Sequence, residues 1–321
     1  MKKSTDEIKK IGIIIPAFNE EKTIKDVILG FHNSLPSAEL CVIDNASTDQ
    51  TYKITNETFQ SLSIPCQIIF EANRGKSNAL RRAFIELDWD IYIMFDADLT
   101  YDPLDIGKLL EPILTNKADI VVGNRMANDI YKQQNHRRFH EFGNKLIRKI
   151  INLIFKTKLN DIFSGYRVLN KRFAKNMPII TKNFEVETEM TINALIYNFR
   201  IKEIPINYKK RIPGSFSKLN TFKDGIRIIN ALLMIIIDYK PLLFFGSLGF
   251  ILLFFGLLIG APVISEYIIS RYITHVPLAI LATGVMIISL LFFAIALILN
   301  VMNRSNLRSV LLQIQKSDIK S

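Results

Sequence analysis

Residues Ile91–Pro103 read IYIMFDADLTYDP. The apolar run Ile91–Phe95 has strand length and lacks the alternation of a half-exposed strand, so it suits a strand covered on both faces. Asp96 and Asp98 follow at once, which places two carboxylates at the strand's carboxyl end. In open parallel sheets ligands sit beyond that end. Hard oxygen ligands beside phosphates suit Mg²⁺ or Mn²⁺, and such a metal would bridge diphosphate oxygens and neutralise charge on a leaving nucleotide. Taken alone, an Asp-Ala-Asp is more often a pair of solvated acids in a loop, so the neighbouring loops decide.

Working outward, apolar runs of strand length recur at Ile11–Ile15, Leu40–Ile43, Cys66–Phe70 and Ile120–Val122, separated by stretches compatible with helices. This is the βαβ rhythm of a mainly parallel sheet. The loops that follow the five runs read PAFNEE, DNAS, EANRGKSNA, DADLTYDP and GNRM. Pro16–Glu21 reads either as part of a ligand crevice or as a turn whose acids cap the next helix. Asp44 either binds a base or ribose or caps the helix that starts near Ser47. In Asn73–Lys76, Gly75 and the flanking cations Arg74 and Lys76 offer backbone and charge to a phosphate; the other reading is a surface loop.

The 321 residues suffice for one sizeable core plus an appendage, since domains run to about 100 to 200 residues. A formal charge of +11, from 41 Lys+Arg against 30 Asp+Glu, suits nucleic acid, anionic lipid or phosphate-bearing ligands. The basic residues lack aromatic interleaving or a nucleic-acid motif, so a nucleic-acid partner is not expected. Cys41 and Cys66 form neither a metal-ligand spacing nor a disulfide framework, which fits a reducing compartment. The run Ile11–Ile15 ends at Pro16, so no signal-peptide core follows the charged Met1–Lys10, and the first domain is expected to stay where it is made.

The last hundred residues are different. Leu242–Ile264 and Val276–Met302 contain no Asp, Glu, Lys or Arg, and roughly 20 apolar residues cross a bilayer core. Both are expected to be transmembrane helices. The run Ile228–Ile237 is too short to span and suits an interfacial helix, while the basic segment Asn135–Phe155 could lie against anionic lipid. Arg304, Arg308, Lys316 and Lys320 beyond the second span, with the basic stretch before Lys240, put both ends in the cytoplasm by the positive-inside tendency. The expected organisation is a cytosolic catalytic domain over 1–220, an interfacial amphipathic helix over 221–240, a two-helix hairpin over 241–303 and a cytosolic tail over 304–321.

The segments IIIPAFNEE, CVIDNASTD, NRGKSNALRRA, FDADLTYDP, VVGNR, DIFSGYR and RIPGSFSK, in this order, resemble family 2 glycosyltransferases, specifically polyprenyl- or dolichyl-phosphate sugar synthases of the dolichol-phosphate mannose synthase type. The resemblance covers nearly the whole chain. It implies an α/β GT-A nucleotide-sugar-binding fold, and inverting transfer of a sugar from a UDP- or GDP-linked donor to a polyprenyl phosphate such as undecaprenyl or dolichyl phosphate. It carries nucleoside contacts to Pro16, Phe18, Glu20 and Asp44, with Lys76 beside them, and metal and diphosphate contacts to Asp96 and Asp98. Acceptor-phosphate contacts fall at Arg125, Arg137 and Arg211, with Ser164, Arg167 and Lys218 in neighbouring motifs; guanidinium forks match phosphate oxygens well. Asp96, Asp98, Arg125 and Arg211 are the expected catalytic group. Thr100 stands where relatives often have Gln, and Asn45-Ala46 where they have Asp-Gly.

A lipid phosphate has a second pKa of about 6 and is largely dianionic at neutral pH, so no strong base is required. Positioning and charge stabilisation of the leaving diphosphate can then carry the reaction. Glu187 and Glu189 read either as groups that orient the sugar or act as a base, or as the solvated face of an acidic helix. Two other functions remain in view: a processive polysaccharide synthase, opposed by the lack of a QxxRW-type sequence and by only two spans, and a silent membrane scaffold. The expected partners are the nucleotide-sugar, the lipid phosphate and the membrane; a flippase or a second copy of the chain would fit, but no motif encodes either.

Overall fold

The structure is a computed structural model that describes residues 9–62, 64–127, 138–177, 179, 186–209, 233–234 and 236–320, with backbone alone at 138–142 and 317–320. The chain divides into two compact units, Met1–Gly225 with Gln313–Ser321, and Ile226–Leu312.

In the first unit β1 (Ile11–Ala17), β2 (Glu39–Asp44), β3 (Cys66–Phe70), β4 (Ile91–Met94) and β5 (Ile120–Asn124) coincide with the five apolar runs. Two further strands, β6 (Arg167–Asn170) and β7 (Ile201–Pro205), complete a sheet of order β3-β2-β1-β4-β6-β5-β7. β1 pairs in parallel with β2 and β4, and β2 with β3, in registers such as Ile13 opposite Leu40 and Ile93. β6 runs antiparallel between β4 and β5, and β7 is parallel to β5. The single reversed strand delivers the Asp161–Tyr166 loop to the same edge as the carboxyl ends of β4 and β5.

Helices follow the strands with apolar faces at helical spacing. α1 (Ile24–Ser34) buries Ile24, Val27, Ile28 and Phe31, and α3 (Lys76–Glu86) buries Ala79, Leu80, Ala83 and Phe84. α2 (Thr51–Gln60) buries Thr51, Thr55, Thr58 and Phe59; α4 (Ile106–Leu114) buries Ile106, Leu109, Leu110 and Ile113. The remaining helices of this unit are α5 (Arg138–Phe155), α6 (Lys171–Asn176) and α7 (Val186–Ile196). Under the ligand edge, Phe95 meets Phe31 and Tyr166 edge-on at centroid distances of 4.5 and 4.8 Å, and Tyr101 at 5.7 Å. Such contacts add about 0.5 to 1.5 kcal/mol each beyond burial, so the residues flanking Asp96 and Asp98 stand on a stiff aromatic base.

The second unit holds α8 (Pro241–Ser270) and α9 (Val276–Lys320) as far as Leu312, both helices long and apolar enough to cross a membrane. α8 ends where Arg271 turns left-handed at φ 58°. The expected tail boundary at residue 303 falls inside α9, because no Gly or Pro after Gly284 interrupts the helix. Gly249 and Gly256 on α8 face Ser289 and Met286 on α9: Ser289 Oγ donates to the Gly249 carbonyl at 2.8 Å, and a Cβ on Gly256 would come within 2.8 Å of Met286 Cγ. Small residues seven apart therefore let the hairpin backbones approach closely, while large apolar side chains such as Phe250, Phe254 and Leu290 face outward. Most of the expected interfacial helix over 221–240 lies outside the described residues.

Candidate active site

The loops after β1 and β2 are stitched together by side chains. Asn19, at φ 58°, accepts from Thr48 N at 2.8 Å through Oδ1, and its own N–H donates to Ser47 Oγ at 3.1 Å. Glu20 N donates to Thr51 Oγ1 at 2.8 Å, Glu21 N to Asp49 Oδ2 at 3.2 Å, and Gln50 N to Glu21 Oε2 at 3.1 Å. Glu20 also caps α1: its carbonyl accepts from Thr23 N and Ile24 N, and its carboxylate from Thr23 Oγ1 at 3.0 Å. Pro16 is the next-to-last residue of β1, and the Phe18 ring centre stands 5.0 Å from the Arg74 guanidinium carbon.

Asp44 ends β2 with 2% exposure, and its Oδ1 is buried without a hydrogen-bond partner. A buried carboxylate oxygen without a donor costs free energy, so this atom suits a ligand hydroxyl or N–H. Beside it, Asn45 Nδ2 donates to the carbonyls of Glu71 at 3.1 Å and Asn73 at 2.7 Å, while Oδ1 accepts from Gly75 N at 2.6 Å. Asn45 thus anchors the whole β3–α3 loop, and two of its three bonds require donors that an Asp lacks.

That loop presents Lys76 as the first residue of α3. Its ammonium bridges Asp96 Oδ1 and Glu187 Oε1, the latter at 2.5 Å. Glu187 and Glu189 are 6% and 7% exposed, which corrects the reading of these acids as a solvated face. Nine successive residues of α7, Val186–Ala194, are buried, so the helix has no solvated side on which to place them. Burial works against charge on both groups. The acids nonetheless hold the Lys76 pKa above the ordinary lysine value, and Lys76 holds Glu187 below the ordinary carboxylate range. Asp96 is pushed up by burial, with Lys76 opposing and Glu187 and Asp98 adding to the rise.

Asp98 accepts from Thr100 Oγ1 at 2.6 Å and Thr100 N at 3.2 Å. Thr100 is therefore a brace for Asp98. Between the acids and this brace Leu99 adopts φ 57°, a left-handed conformation that costs a non-glycine residue about 1 kcal/mol or more and recurs at functional sites.

Opposite them, Arg125 forms a fork on Asp161, with Nε and Nη2 both at 2.8 Å, and its own N–H reaches Asp161 Oδ2 at 2.9 Å. Burial alone would raise Asp161; the Arg125 hydrogen bonds and charge outweigh it and hold the carboxyl below its usual range. The Arg125 guanidinium also stands 5.9 Å from the Tyr208 ring centre. Arg167 corrects an expectation. It is 0% exposed and donates to Ser164 O and Ile162 O at 2.8 Å and to Thr191 Oγ1 at 3.0 Å, an internal brace between the 162–164 loop and α7. Burial pushes its pKa down to about 10 against the pull of Glu187 and Asp161. Ser164 is buried and its Oγ has no partner. Gly165 packs against the Asp96 carboxylate. Arg137, Arg211 and Lys218 lie outside the described residues.

The structure thus brings Lys76, Asp96, Asp98 and Ser164 to one edge of the sheet, with Asp44 and Phe18 on the neighbouring strands. Glu187, for which the sequence leaves a site role and a solvated face both open, joins them, as do Asp161, Gly165 and Tyr101, which were not singled out as site residues. Of these, Asp161 and Gly165 belong to DIFSGYR and Tyr101 to FDADLTYDP, two of the segments that carry the family resemblance.

With this geometry in place, the chain is similar to known proteins along most of its length. The profile of glycosyl transferase family 2 matches residues 12–177. Glycosyltransferase AglJ of Haloferax volcanii is 29% identical over 288 residues, 89% of this chain and 91% of that protein. A UDP-N-acetylglucosamine–dolichyl-phosphate N-acetylglucosaminyltransferase of Methanococcus voltae is 32% identical over 216 residues, 62% of this chain and 85% of that protein. Glucosyl-3-phosphoglycerate synthase of Mycobacterium tuberculosis, solved with Mn²⁺, UDP and phosphoglyceric acid, superposes with a TM-score of 0.55 at 19% identity, over 70% of this chain and 78% of that one. The α/β GT-A fold with its mainly parallel sheet is therefore present, and the acids that end β4 stand within the matched segment. By the extent of that match and the similarity to named glycosyltransferases, this chain belongs to glycosyl transferase family 2, and is a glycosyltransferase.

Proposed function

We propose that the protein transfers one sugar, with inversion, from a UDP- or GDP-linked donor to a polyprenyl phosphate at a membrane surface. The observation that carries this reading is the acidic cluster at the end of β4, Asp96 and Glu187 bridged by Lys76 with Asp98 beside Asp96, in a chain that also has two helices able to cross a membrane. The dolichyl-phosphate acceptor in the name of the Methanococcus voltae relative supports the same acceptor class here.

Asp44 Oδ1, buried and partnerless, accepts from a hydroxyl or N–H of the nucleoside, with Pro16, Phe18 and Glu20 forming the adjoining wall. Asp96 and Asp98 fit a divalent cation: a Mg²⁺ or Mn²⁺ site typically needs only one or two carboxylates beside substrate phosphates, and the Lys76 ammonium already shows Asp96 engaged with positive charge. When bound, the metal supplies positive charge against the leaving nucleoside diphosphate. Lys76 contributes a second cation on the same side.

The acceptor enters as a dianion at neutral pH, so the protein's task is to hold the phosphate oxygen in line with the anomeric carbon. Ser164 Oγ, unpartnered and buried, donates toward the reacting groups. Arg125 is fixed by Asp161 and lines the acceptor side; the lipid-phosphate contacts that the resemblance assigns to Arg137, Arg211 and Lys218 belong to the same reading. Arg167 acts from behind by holding the Ser164 backbone. The hairpin ties the chain to the membrane that holds an acceptor with a hydrocarbon tail, with the catalytic unit and both ends cytoplasmic by the distribution of Lys and Arg.

The test compares two acceptors in proteoliposomes with the same donor: a polyprenyl phosphate and the corresponding free polyprenol. Transfer to the phosphate alone is expected. Equal transfer to the alcohol would remove the phosphate-acceptor reading, because an alcohol needs a base that this account does not supply.

A further inference from the structure

Lysine at the first position of a helix is locally unfavourable, because the amino end of the helix dipole repels a cation by a few tenths of a kcal/mol or more. Lys76 occupies that position on α3, directly after Gly75 at φ 127°. What holds it there is the pair of acids on two other elements: Asp96 beyond β4 and Glu187 on α7. The two partners differ in freedom. The Glu187 side chain is 8% exposed and fixed in a buried helix, whereas the Lys76 side chain is 32% exposed and can swing.

Asp96 is confined on its far side as well. A Cβ on Gly165 would fall 2.8 Å from Asp96 Cγ, so the 161–166 loop backs directly onto the carboxylate. The Lys76 ammonium lies at Oδ1 of the same carboxylate. Two carboxylates from separate elements share this one ammonium, while Asp98 adds negative charge beside Asp96 and the buried Arg167 guanidinium acts on Glu187 from behind.

We infer that Lys76, tethered to Glu187, is a resident counter-ion that occupies the cation position at Asp96 and yields it to a divalent metal only when a nucleoside diphosphate arrives to receive the ammonium. This rests on the donor and metal reading of the site. Its consequence is coupling. A metal alone must displace Lys76 and leave it without its Asp96 partner, whereas a metal with a diphosphate gives the ammonium new oxygens. Each ligand therefore tightens the other by the same factor. Glu187 is the station to which Lys76 remains tethered during the exchange, which makes it a positioning residue.

The experiment is a Mn²⁺ titration followed by electron paramagnetic resonance on the purified full-length chain, without nucleotide and with saturating UDP and GDP in turn. In the unsubstituted protein the effective nucleotide is expected to tighten Mn²⁺ at least about tenfold, within the usual range of such couplings. Lys76→Met is expected to tighten nucleotide-free Mn²⁺ by about tenfold and to shrink the nucleotide effect correspondingly, with a melting temperature within a few degrees of the parent. Folded Lys76→Met that binds nucleotide-free Mn²⁺ no better than the parent overturns the inference. So does a parent protein whose Mn²⁺ affinity is the same with and without nucleotide, a result that does not depend on how the variant folds. Failure of both UDP and GDP to bind at any metal concentration would instead overturn the donor reading itself.

Discussion

Gly165 N donates to Tyr101 Oη at 3.0 Å, which presses the glycine against the Asp96 carboxylate and leaves no room there for a Cβ. The sheet explains why the two meet: β6 runs antiparallel beside β4, with Met94 opposite Arg167, so the loop before β6 crosses the end of β4. Gly165→Ala must therefore move Asp96. A displacement of about 1 Å at a reacting centre costs on the order of a hundredfold in rate. The expected result is at least that loss in sugar transfer, with the melting temperature nearly unchanged, measured by single-turnover transfer and thermal unfolding of the same preparation.

Asn45 makes a separate claim on its amide. Asn45→Asp replaces the two Nδ2–H donors with an acceptor facing the carbonyls of Glu71 and Asn73. Leaving buried groups unsatisfied costs about 1 to 3 kcal/mol. Nucleotide affinity is expected to fall roughly tenfold or more because the loop that carries Lys76 loosens, and calorimetric titration with the preferred nucleotide reads it. Unchanged affinity would show that the Asp-Gly pair of relatives is interchangeable with Asn45-Ala46.

Ala46 adopts φ 57°. A left-handed backbone costs a residue with a Cβ roughly 1 to 2 kcal/mol, while glycine loses more entropy on folding. Ala46→Gly is therefore expected to change stability by less than about 1 kcal/mol, on the stabilising side, with activity retained in a thermal-shift and transfer comparison. A strong destabilisation would mean that the Ala46 methyl makes a contact this account does not assign.

Asp161 gives a pH dependence with a defined sign. Its folded pKa lies below the ordinary carboxylate value of about 3.9, so its contribution is fully present above about pH 4 and is lost as pH falls through the folded value. Asp161→Asn leaves the buried Arg125 without its countercharge, a change that costs about 3 to 5 kcal/mol when one partner of a buried pair is removed. Unfolding in denaturant from pH 7 to pH 3 is expected to show a large stability gap between the parent and Asp161→Asn at neutral pH that narrows below about pH 4. A gap that stays constant across the range would separate Asp161 from the acid sensitivity.

Much of this arrangement was legible in the sequence because it rests on strands buried on both faces. The runs that became β1 to β5 are uninterrupted apolar stretches, and their loops carry Asp44, Lys76, Asp96 and Asp98. β6 escaped notice because it is short and begins with Arg167, whose charge is masked by three hydrogen bonds to main chain and Thr191. β7 reads IKEIP, a polar pattern with only half-buried apolar residues. Glu187 could be named but not decided, for a different reason: α7 is buried on every side, so its acids show no solvent-facing period, and only the partner Lys76, over a hundred residues away in the chain, reveals why a carboxylate is there. The DxD pair could be read locally; the cluster it belongs to is a product of topology.

The central claim is most directly tested by incubating the purified full-length protein with a polyprenyl phosphate, Mg²⁺ or Mn²⁺ and a panel of UDP- and GDP-sugars, and following the lipid by mass spectrometry. A product heavier by a single sugar, formed from one donor and abolished by Asp98→Asn, is the result this account predicts. A polymer, free sugar alone, or no change in the lipid phosphate across the panel would contradict it.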